Sequence, residues 1–138
     1  MLAWLKRFFG SFYAAHIDPP TFGPYATRAE AQFAAGNRAA TVGGTVLETS
    51  GTPSMVPLIP AKVTLLVMKP IPFAEARLGS VVTYRSPLSQ SSVTHRLVAR
   101  DSGGFIPSGD GNRWSEANYR VTAGNFLGEI VGIYPFTA

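Results

Sequence analysis

The chain of 138 residues, 46% of them hydrophobic, is long enough for one buried core and short for two. It has no cysteine, which excludes disulfides and thiolate metal sites. A net charge of +4 on a sequence only 14% charged, with no basic cluster, argues against nucleic-acid binding but allows contact with an anionic lipid surface.

In residues 1–13, apolar side chains at 1, 2, 4, 5, 8, 9, 12 and 13 follow helical spacing, with Lys6, Arg7 and Ser11 elsewhere on the wheel. Such a helix is too short to cross a bilayer, which needs about 20 apolar residues. It is expected to lie on a membrane surface, to dock on another subunit, or to pack on its own domain. Pro19, Pro20 and Pro24 prevent a helix across 17–25 and mark a linker. His16, beside that linker, reads as an exposed or structurally hydrogen-bonded residue rather than a ligand. Thr27 is a candidate N-cap, with Glu30 at the capping-box position, for a short helix over 28–35 that Gly36-Asn37 would stop.

Across the whole chain, fourteen glycines, eleven prolines and many β-branched residues favour short strands and turns. Strands are expected over 41–49, 62–69, 80–86, 94–100, Gly104–Ser108 and 129–134. The assignment is a helical and proline-rich arm over 1–40, then one mainly β domain over 41–138, coiled, antiparallel and barrel-like.

Three stretches carry candidate chemistry. Ser50-Gly51-Thr52-Pro53-Ser54-Met55-Val56-Pro57 places a serine between two prolines, on a corner that proline rigidifies and glycine permits. Thr94-His95-Arg96-Leu97-Val98 supplies the only histidine of the β domain, and Ser108-Gly109-Asp110-Gly111-Asn112 supplies a carboxylate. A serine hydroxyl is a poor nucleophile until a neighbouring base takes its proton, and an imidazole suits that task. Ser54 and His95 are 41 positions apart, so only the fold can join them. Asp110 could orient the imidazole or cap a local turn.

The order and context of these boxes resemble the signal peptidase I superfamily, related to LexA-type self-cleaving repressors. The likeness is to its ER-type, archaeal and spore-forming-bacterial branch, whose boxes are Ser-Gly-Ser-Met-x-Pro, His-Arg-Val and Gly-Asp-Asn-Asn. It spans roughly residues 49–136 and closes in Leu127-Gly128-Glu129-Ile130-Val131-Gly132. Pro53 stands where the family has glycine, and Ser80 where it has aspartate in a Gly-Asp-Val-Val strand. Residues 1–13 stand in place of the family's usual transmembrane anchor.

The resemblance implies a serine endopeptidase working through an acyl-enzyme without a cofactor or metal. Ser54 would be the nucleophile, His95 the base, and Asp110 or Glu116 the carboxylate that orients it. Glu116 falls where the branch has a second aspartate, on an arm one methylene longer. The oxyanion donors would be the Ser54 backbone N–H and the Thr52 hydroxyl. The implied partner is an extended peptide or preprotein with small residues at P1 and P3. Either docking mode of the arm would place the protein at a membrane periphery or within a larger assembly. A different class stays open: a non-catalytic structural or assembly protein, such as a capsid-decoration subunit, that keeps the fold and docks through residues 1–37. A self-cleaving repressor fits less well, because its base is normally lysine and its DNA-binding helices need more chain than the arm has.

Overall fold

A computed structural model describes residues 16–18, 24–112 and 118–137. The amphipathic segment 1–13 and Glu116 lie outside the described residues. Helix α1 covers Arg28–Val42. Thr27 caps it as expected, its side-chain oxygen accepting from the Glu30 N–H at 3.2 Å. Gly36-Asn37 does not stop the helix; Gly43, at φ 66°, does. The reason lies in packing. Ala31, Ala35 and Ala39 form a buried stripe at i, i+4, i+8 against Leu65, Val67 and Val131, and that stripe continues past Gly36. A single internal glycine costs only about 1 kcal/mol against alanine, less than the apolar face returns. The extra helical turns consume the start of the strand expected at 41–49.

Six strands follow: β1 Thr45–Glu48, β2 Leu65–Lys69, β3 Val81–Arg85, β4 Ser92–Asp101, β5 Gly104–Ser108 and β6 Phe126–Tyr134. All pair antiparallel in the order β1-β2-β6-β3-β4-β5. The last strand in sequence therefore fills the centre of the sheet. Register shifts at Val67/Met68, Thr83/Tyr84 and Leu97/Ala99 add local twist and bend. The expected barrel-like closure is not formed. β1 and β5 are the two ends of the sheet, β5 carrying only an isolated bridge from Phe105 to Val121 on its far side, so the sheet is open. Closure would require those two short strands, of four and five residues, to pair with each other.

Alternation along the strands divides the core. Leu65 and Val67 face α1, whereas Leu66 joins Met55, Ile59, Val81 and Ile130. Val82, Tyr84 and Leu97 belong to a third cluster with Ala76, Phe105 and Val121. His16 Nδ1 meets the largely buried Glu129 carboxylate at 2.8 Å, tying the N-terminal side of the chain to β6.

Candidate active site

The serine box folds as a 3-10 turn over Pro53–Met55. Pro53 occupies its first position, where a missing N–H does no harm and the fixed φ helps. Gly51, at φ 86°, makes the bend that admits the turn. Met55 anchors it in the core beside Ile59 and Leu66, and the Val56–Pro57 peptide is cis.

The Gly-Asp box is built directly onto this turn. The Gly111 N–H donates to the Ser54 carbonyl at 2.8 Å, and the Asp110 N–H points at Met55 Sδ at 3.3 Å. A Cβ on Gly109 would lie 2.3 Å from the Ser54 carbonyl oxygen, and one on Gly111 would lie 2.3 Å from that of Pro53. Both positions therefore require glycine for close backbone approach.

Arg96 locks the assembly from β4. Its guanidinium grips Asp110 at 2.8 and 2.7 Å and reaches the Gly79 carbonyl at 2.7 Å. The Arg96 side chain is 1% exposed and Asp110 13%, so the pair is a desolvated fork-to-fork contact. Asp110 thus has both carboxylate oxygens on Arg96, and its influence on His95 is that of a nearby charge.

His95 is buried in the middle of β4, opposite Val82 of β3. Burial pushes its imidazole down to about 4, a fall that the Asp110 charge partly offsets. It is therefore neutral at pH 7, the form that can accept a proton. Its Nδ1 lies 3.3 Å from the Tyr84 hydroxyl, which in turn lies 2.8 Å from the Tyr119 hydroxyl. Neither tyrosine is marked by the boxes. The pairing of β3 with β4 places Tyr84 opposite Val93 and makes it a diagonal neighbour of His95, within an aromatic side chain's reach.

A cavity of about 610 Å³ brings the candidates together. Ser54, Thr52 and His95 all line it, together with residues 47–50 and 91–94. Ser54 Oγ is hydrogen-bonded to Thr52 Oγ1 at 3.2 Å, and no hydrogen bond joins it to His95. The Thr52 hydroxyl, one of the two expected oxyanion donors, therefore sits beside the candidate nucleophile. Glu116, the other candidate orienting carboxylate, lies outside the described residues. Among the described residues, no three metal-ligating side chains cluster. The chain matches no family model and no curated protein.

Proposed function

We propose that the chain is a serine endopeptidase of signal-peptidase type, with the corresponding fold, that hydrolyses an extended peptide through an acyl-enzyme. One observation carries the reading. Two residues 41 positions apart, Ser54 and a neutral His95, line one cavity, and the serine stands on a corner clamped by the Gly-Asp box. Ser54 Oγ exchanges its contact with Thr52 for one with His95 and attacks the substrate carbonyl while the imidazole takes its proton. Thr52, released from Ser54, then donates to the developing oxyanion together with the Ser54 N–H. His95 returns the proton to the leaving amine, and water resolves the ester by the same route in reverse. Small P1 and P3 residues are the expected specificity, and the amphipathic segment 1–13 is the expected docking element.

Treatment with a serine-directed acylating probe tests this. Wild type is expected to be labelled at Ser54, Ser54→Ala not at all, and His95→Ala about 10²- to 10⁴-fold more slowly. The Ser54–Thr52 hydrogen bond favours a second reading, a non-catalytic assembly protein on the same fold. A folded wild type that takes no label would establish that one instead.

A further inference from the structure

Resting on the peptidase reading, we infer that Tyr84, backed by Tyr119, is a positioning residue for His95. If His95 is to take the Ser54 proton through Nε2, Nδ1 must keep its own proton and donate it to something fixed. Asp110 is occupied by Arg96, whereas the Tyr84 hydroxyl lies 3.3 Å from Nδ1. Tyr84 is fully buried, and its ring is held in the cluster of Val82, Leu97 and Phe105, so the hydroxyl has little freedom to move away.

The second tyrosine extends the contact into a chain that can run in either of two directions. The Tyr84 and Tyr119 hydroxyls lie 2.8 Å apart, and with Tyr119 as the acceptor Tyr84 can accept from His95. The chain His95 Nδ1–H to Tyr84 to Tyr119 then leaves Nε2 as the proton-accepting nitrogen. During acylation the serine proton moves to Nε2, the imidazolium keeps its Nδ1–H on Tyr84, and no hydroxyl has to turn. The opposite chain, Tyr119 to Tyr84 to Nδ1, would put the proton on Nε2 and disable the base. A neutral phenol steadies an imidazolium less than a carboxylate does, which agrees with a site where the imidazole is held neutral.

Nitrogen-15 NMR of the full chain at pH 7 identifies the His95 tautomer directly, with Ser54 acylation rates measured in parallel. Wild type is expected to hold the proton on Nδ1. Tyr84→Phe, which keeps the ring, is expected to shift the population toward Nε2–H and to slow acylation about tenfold or more. Tyr119→Phe removes the acceptor for the Tyr84 proton and is expected to move the tautomer the same way. It also serves as the second test should Tyr84→Phe fold poorly. An Nε2–H wild type, or a tautomer that neither variant moves, overturns the inference. A wild type that takes no acyl label overturns the peptidase reading instead, while the tautomer still decides whether Tyr84 sets the ring.

Discussion

His95 is where burial and the proposed role as a base meet on one side chain. Its imidazole ionises at about 4 in the folded protein, against about 6.5 in an unfolded chain. Above pH 6.5 both states are neutral and the stability of the fold is intact. As pH falls below 6.5, the unfolded chain binds a proton that the folded one refuses. Stability then declines until pH reaches about 4, by on the order of 3 kcal/mol, and this contribution levels off below that. Urea unfolding at pH 7.5 and 4.5 should show the loss in wild type and a smaller one in His95→Gln. The same depression governs rate. A base accepts a proton only when neutral, so if His95 serves Ser54 as proposed, the acid limb of Ser54 acylation should have an apparent pKa nearer 4 than 6.5, readable from a pH–rate profile. That His95 was a candidate base is legible from its setting in Thr94-His95-Arg96. Its tyrosine partner is not, because the contact depends on a register between two strands.

At the level of elements, the helix and the glycine loop show which local signals survive folding. The start of α1 is legible because a threonine cap is a local hydrogen bond. Its end is not, because Gly36 is overruled by alanines that pack against β2 and β6. Gly36 is exposed and a Cβ there would meet nothing within 4 Å. Gly36→Ala should therefore stabilise the protein by up to about 1 kcal/mol, seen as a higher urea midpoint with unchanged slope. Gly109 behaves oppositely. Its Cβ would collide with the Ser54 carbonyl, and backbone cannot swing aside as a side chain can. Gly109→Ala should lose about 1–3 kcal/mol and displace the nucleophile's turn, so acylation should slow even at temperatures where the variant stays folded. The same residue type in a helix and in a loop thus has opposite consequences, and the distance to a neighbouring backbone oxygen separates them.

Across the whole molecule, the strands were legible one by one, but their assembly was not. Apolar and β-branched runs mark where β2, β3 and β6 run, yet they carry no information about which edges meet. Open or closed is a long-range outcome, and here β1 and β5 remain the two ends. What joins the distant parts is one buried cation. Arg96 links β4 to the Gly-Asp loop through Asp110 and to the chain ahead of β3 through Gly79. The loop in turn holds the serine turn through Gly111. Arg96→Ala leaves the Asp110 carboxylate without its countercharge and the Gly79 carbonyl without its donor. It should therefore cost about 3–5 kcal/mol, a large part of the 5–15 kcal/mol typical of a whole domain. Arg96→Lys should recover little, since a single ammonium cannot grip both carboxylate oxygens and the carbonyl together. The decisive comparison is the double-mutant cycle with Asp110→Asn, followed by chemical denaturation. Removing both charges should be less damaging than the sum of the single losses, because the second substitution removes the orphan the first creates. Additive losses would instead mean that Arg96 acts through packing alone, and the serine turn would then owe its position to Met55 and the glycines.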